Sequence, residues 1–248
     1  IIGRLVGSEM CIRDSRSPEA LALAGLIHEQ QGQLLLARQS LTDALAAGTL
    51  ADPGAAHLAL ARGYQATGDT TQGTQHATAA AASAATPEAL AEAIDLLIDL
   101  STVSLGPGEA MGLLAGAVSE DDLPATWVAL ADGYLARSMA SAAISPLEGA
   151  LHAAALHPDA VHWQLRIADA ASQRGRFEDE VAALEVLARD YTVGSPWADA
   201  QEATEAVDTV AIEALIEERI RTTLRTRHHL SRVAPRTPTA SPQLEELS

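Results

Sequence analysis

Five prolines, Pro18, Pro53, Pro87, Pro124 and Pro158, recur 34 to 37 residues apart, and each introduces a segment that reads as two helices. No other feature restricts the fold as much. A unit of that length cannot bury its own apolar face, so stability has to come from stacking one unit on the next. The expected fold class is all-α: an α-solenoid of stacked antiparallel helix hairpins rather than one globular core.

Local signals carry the same plan along the chain. Ser17 can cap the helix that Pro18 begins, because proline in the first turn lacks only a donor that had no intrahelical partner. Leu21, Ala24, Gly25 and His28 share a face, Gly32 breaks the helix, and Leu36, Ala37, Leu41, Ala44 and Leu45 carry the return helix to Gly48. After Asp52-Pro53 come His57, Leu60, Ala61 and Tyr64, a Gly68-Asp69 turn and an alanine-rich helix through His76. Thr86-Pro87 opens a third unit with Ile94, Leu97 and Ile98, a longer turn over 101–108, then Ala110, Leu113 and Leu114. Asp121 and Asp122 can cap a fourth, with Trp127, Leu130, Ala131 and Tyr134, a turn near Ser138, then Ala143, Leu147 and Ala150. His157-Pro158-Asp159 opens a fifth, with Trp163 and Ile167 before Gly175 and Phe177 after it. A last segment starts at Ser195-Pro196-Trp197 and shows no glycine or proline turn from Ala198 to His229; it reads as one long closing helix or as a sixth hairpin.

The expected domain organisation is a helical repeat domain of five to six hairpins over 17–230, flanked by an unstructured leader at 1–16 and a disordered tail at 231–248, where Pro235, Pro238 and Pro242 alternate with Ser and Thr. The leader contains VGSEMCIRDS, which resembles translated adapter sequence, so the only cysteine, Cys11, is expected to be non-native and the natural N-terminus to be missing.

The succession resembles the tetratricopeptide repeat, whose units of about 34 residues place a large residue early in the first helix, a Leu followed by a small residue, an aromatic, a turn glycine, an alanine in the second helix and a closing proline. The unit at Pro124 matches with Trp127, Leu130, Ala131, Tyr134, Ala143 and Ala150, then Pro158. The second unit supplies Leu60, Ala61, Tyr64, Gly68 and Ala80, and the first supplies Leu21, Ala24, Gly25, Gly32, Ala37 and Ala44. Gly73 and Glu180 depart from the pattern, each standing where alanine is expected. The resemblance implies a right-handed solenoid and a concave groove lined by first-helix residues. Carried over, the groove positions of the fourth unit are Ala125, Val128, Asp132, Leu135 and Ala136, and the peptide-binding residues along the array include Glu29, Arg62, Gln65, Asp132, Leu135, His162, Asp169 and Gln173.

Composition narrows the partner. The net charge is −17 and the chain has no lysine, so phosphate is repelled except at the C-terminal run Arg219, Arg221, Arg225, Arg227, Arg232 and Arg236. Nucleic acid is not the expected ligand, and the run is read as a basic helix end facing the helix dipole or an acidic neighbour. No apolar stretch is long enough for a membrane helix. No GxxxxGK loop or GxSxG elbow occurs, and the histidines, including His152, His157 and His162 five apart, do not share a helix face. We therefore expect no enzyme, no cofactor and no metal. The expected function is a protein-protein interaction scaffold or adaptor that holds a neutral to basic peptide or protein segment in its groove. The alternative is a regulatory or oligomerisation repeat domain of a larger protein. The compartment, cytoplasm or periplasm, and the oligomeric state stay open.

Overall fold

The computed structural model describes residues 17–101, 106–191, 194–204 and 209–233. These residues form helices and turns, with no strand among them. Helix α1 (Pro18–Gln30) pairs with α2 (Leu34–Ala47), α3 (Pro53–Thr67) with α4 (Thr70–Ala82), α7 (Leu123–Ala136) with α8 (Ala140–Ala153), and α9 (Ala160–Gln173) with α10 (Phe177–Asp190). The second helix of one hairpin then packs on the first helix of the next, α4 on α5 (Pro87–Ser101) and α8 on α9. This is the stacked-hairpin solenoid anticipated from the proline period.

Caps set the helix starts. Ser17 Oγ accepts from the Ala20 amide at 3.2 Å, Asp52 Oδ1 from Ala55 at 2.9 Å and Thr86 Oγ1 from Ala89 at 3.2 Å, each just ahead of its proline. Asp122 occupies the cap position of α7 but does not cap with its side chain. Residues Glu120–Asp122 form a 3-10 turn there, and Ser119 Oγ donates to Asp122 Oδ2 at 2.6 Å instead. The fifth unit also departs: Pro158 lies in the turn, and α9 begins only at Ala160, with the Asp159 amide donating to His157 Nδ1 at 3.1 Å.

Close packing follows from small residues. A Cβ on Gly25 would lie 2.5 Å from Leu41 Cγ, so α1 and α2 touch only because that Cβ is absent. The departure at Gly73 has the same cause: Leu100 of α5 sits where a Cβ would meet it at 3.0 Å. Ala61 and Ala131 are fully buried at the equivalent seams. A large continuous core runs from Leu58 to Ile216, and a smaller one, built on Leu41, Ala44, Leu50, Ala56, Ala59 and Leu60, holds the first hairpin.

Beyond α10 the described residues form helices α11 (Pro196–Thr204) and α12 (Thr209–Val233). Helix α11 sits under the α8–α9 connection, where Trp197 Nε1 donates to the His157 carbonyl at 2.9 Å and Gln201 Nε2 to the Leu156 carbonyl at 2.9 Å. Helix α12 packs on α10 and so occupies the position that the first helix of a sixth hairpin would take. The misfit Glu180 is explained here. It is 3% exposed, accepts from Thr223 Oγ1 of α12 at 2.9 Å and lies 3.6 Å from Arg219, so a carboxylate replaces alanine to anchor the closing helix. Helix α12 continues past Ser231 to Val233, two residues before Pro235, as expected for a residue run that proline has not yet restricted. The leader at 1–16, the segment 234–248 and residues 102–105 of the third unit's turn lie outside the described residues.

Candidate functional site

The first helices share one face, and the structure shows how their charges are used. Arg62 of α3 lies 3.4 Å from Glu29 of α1 and also pairs with Glu92 of α5. Arg137, at the end of α7, bonds Asp95 and Asp99 of α5, both at 2.7 Å. Arg166 of α9 pairs with Asp132 of α7, and Arg219 of α12 pairs with Asp169 of α9. Every neighbouring pair of first helices is thus tied by an arginine–carboxylate contact. In each the arginine is half-buried along the seam, and such a solvent-accessible pair contributes little alone.

Four expected groove residues, Glu29, Arg62, Asp132 and Asp169, therefore belong to this ladder. Gln65 is exposed at the end of α3, His162 and Gln173 are exposed on α9, and Leu135 is half-buried against the core. Arg137, Arg166, Arg219, Glu92, Asp95 and Asp99 were not anticipated on this face. A signal existed for two rungs, since Glu29–Arg62 and Asp132–Arg166 are opposite charges 33 and 34 residues apart, one repeat length. The basic run of α12 is partly committed as well: Arg219 to Asp169, and Arg221 to Glu217 and Glu218.

Midway along this face a cleft of about 760 Å³ opens where α5, α7 and the start of α9 meet. Leu90, Val128, Ala129 and Trp163 form its apolar floor, and Pro87 and Pro124 flank it at the helix starts. Asp95, Asp122, Asp132 and Asp159 stand exposed around it, Asp95 bonded to Arg137 and Asp132 to Arg166. His157 stacks on Trp163 with ring centroids 4.8 Å apart, closing one end, and Trp197 holds the His157 carbonyl from behind. Of the groove positions expected in the fourth unit, Ala125, Val128, Asp132 and Ala136 line this cleft. Its volume falls in the range that receives a few side chains, and the polarity suits apolar groups flanked by positive charge.

The remaining chemistry is sparse. Among the described residues no group of three or more His, Cys, Asp or Glu side chains is placed to hold a metal ion, and no helix is long and apolar enough to cross a membrane.

No family model matches the chain, and no curated protein matches its sequence. Solved structures superpose on it in part. The tetratricopeptide-like repeats of a putative kinesin light chain from Podosopora anserina are 18% identical, with 84% of this chain and 95% of that one covered at a TM-score of 0.33. A protein from Pseudomonas aeruginosa, pilF, is 16% identical over 91% of this chain and 99% of that one, also at 0.33. A signal-transduction ATPase with a tetratricopeptide repeat sensor, from Pyrococcus horikoshii, is 13% identical over 88% of this chain but only 36% of that one, at 0.32. These are partial superpositions, and the fold stands on the helix packing described above.

Proposed function

We propose that the chain is a non-catalytic protein-protein interaction scaffold that holds a partner segment on its first-helix face, with the cleft at α5, α7 and α9 as the main contact. The observation that carries this reading is the pairing of an apolar floor with a rim that holds Asp122 and Asp159, neither of them bonded to an arginine of the ladder. A neutral to basic segment fits it: an apolar side chain covers Leu90 and Val128, and a cationic side chain meets Asp122 or Asp159. The buried seam between α5 and α7, where Ile98 lies against Gly133, holds the walls apart, so the site is pre-organised and binding loses little further freedom.

The test is a peptide array spanning apolar and basic compositions, probed with the whole chain and with Ala129→Arg, which puts a positive charge on the cleft floor. Saturable binding of basic-apolar peptides that Ala129→Arg weakens about tenfold or more supports the reading. Equal binding by both proteins, or selection of acidic peptides, overturns it. Changes at Asp132 or Asp169 are poorer probes, because they also break rungs of the ladder.

A second reading, a repeat domain that docks onto another domain or another copy, is favoured by one feature. Leu23, Leu35 and Leu36 of the first hairpin are exposed, Leu35 at 77%. Sedimentation of the whole chain beside Leu35→Glu distinguishes the two: a mass that falls only in the variant supports self-association, and a monomer in both leaves the cleft as the contact surface.

A further inference from the structure

Within the second hairpin, His57 of α3 and His76 of α4 face each other with Nδ1 atoms 3.0 Å apart and ring centroids 5.2 Å apart. That contact is a hydrogen bond only when one Nδ1 carries a proton and the other a lone pair. A neutral pair meets the condition, and so does a pair holding one extra proton. With both rings protonated, two donors and two positive charges oppose each other. The contact extends across the hairpin boundary: Tyr64 stacks on His76 at 5.4 Å and 8°, and the Arg38 guanidinium of α2 lies 4.2 Å over the Tyr64 ring. A column of four side chains, Arg38, Tyr64, His76 and His57, thus joins the first hairpin to both helices of the second.

Charges on the surrounding elements do not favour a doubly protonated pair. Arg38, from α2, is positive. Glu29 of α1 and Glu92 of α5 are engaged by Arg62, farther along α3. Asp52 and Asp69 cap α3 and α4, and Glu109 of α6 (Pro107–Ala115) accepts from the Gly106 amide at 3.3 Å.

We propose that the His57–His76 pair is a pH-sensitive joint: near neutral pH its hydrogen bond clasps α3 to α4, and protonation of both rings opens the clasp and loosens the second hairpin. Burial pushes the His57 imidazole below its ordinary value, and burial together with the charge of His57 does the same to His76, with no carboxylate opposing either. In the unfolded chain both rings keep the ordinary value near 6.5. The folded chain therefore binds fewer protons than the unfolded one below that pH. The stability from this pair is complete above about pH 6.5 and is lost as the pH falls from there towards the lower folded values. Because α3 also carries Arg62 and Gln65, such loosening is transmitted to the first-helix face and to the seam with the first hairpin. The two protons belong to the pair and are released in two coupled steps.

The experiment follows the imidazole resonances of the whole chain from pH 7.5 to 5.5, with amide hydrogen exchange at both ends corrected for its intrinsic pH dependence. The expected result is two separated histidine steps, at least one of them below the ordinary value, and exchange in α3 and α4 accelerated about tenfold relative to α7 and α8. Two rings titrating together near 6.5, or acceleration spread evenly over the array, overturns the proposal. His57→Gln/His76→Gln supplies the control: if it folds, its Tm should stay level over the window in which the parent loses several degrees, and a parallel fall overturns the joint. If it does not fold, the resonances and exchange of the parent chain decide alone.

Discussion

The third and fourth hairpins solve the same packing problem differently. In the fourth, α7 and α8 have 14 residues each, and α8 buries Ala140, Ala142, Ala143, Pro146, Leu147 and Ala150 against its partner. In the third, α5 has 15 residues but α6 (Pro107–Ala115) only nine, of which Ala110 and Leu114 are buried and Leu113 is 40% exposed. Yet Ile94, Leu97 and Ile98 of α5 are fully buried. They are covered by the neighbours: Leu100 rests on Gly73 of α4, and Ile98 lies against Gly133 of α7. Helix α6 reaches instead to α8, where Met111 Cε lies 3.0 Å from the place a Cβ on Gly149 would take. In a solenoid the stacking seam can support a first helix when its own hairpin partner is short. The cleft opens at that same unit, since α5 provides one of its walls.

The comparison predicts its largest contrast between two leucines. Leu147→Ala removes a fully buried side chain from α8 and should cost about 2–5 kcal/mol, whereas Leu113→Ala in α6 should cost less than about 1 kcal/mol, both read from chemical denaturation. Equal losses would make α6 as integral as α8. Glycines sharpen it next. A Cβ on Gly133 collides with Ile98 Cδ1, so Gly133→Ala should destabilise by about 1–3 kcal/mol, and Ile98→Val, which deletes that atom, should restore most of the loss. Gly112 of α6 has open space around it, and Gly112→Ala should stabilise by about 0.5–1 kcal/mol. A third contrast concerns the hairpin turns. Gly32, Gly68 and Gly175 adopt φ of 71°, 77° and 68°, whereas the fourth hairpin puts Ser138 at 59°, so Ser138→Gly should raise stability by about 0.5–1 kcal/mol in thermal unfolding. The smallest effect belongs to the ladder: Arg166→Gln should cost about 0.2–1 kcal/mol and lose its effect in high salt.

Much of this architecture was legible in the residues. Ser17, Asp52 and Thr86 cap where expected, Gly32, Gly68 and Gly175 turn where expected, and Trp127 and Tyr134 are buried in the unit that best matched the repeat. The candidate site was legible only in part. The expected groove charges do lie on the first-helix face, but most are bound to the neighbouring unit, and the cleft joins the expected Ala125, Val128 and Asp132 to Leu90, Ala129 and Trp163, which no groove position had singled out. The reason is the length of an arginine side chain. Its reach across a seam depends on where two helices come to rest, and single-helix periodicity carries no record of that.

The sequence by itself determined the period, the glycine turns and the helix starts at Pro18, Pro53 and Pro87, because those depend on backbone preferences and side chains within a few residues of each other. Only the tertiary structure decided that α12 fills the sixth first-helix position, that Glu180 serves as its anchor, that His57 meets His76 and that acids surround an apolar cleft. Each of these joins residues 19 to 50 positions apart or gathers several helices, and becomes defined only when packing fixes the distance between units.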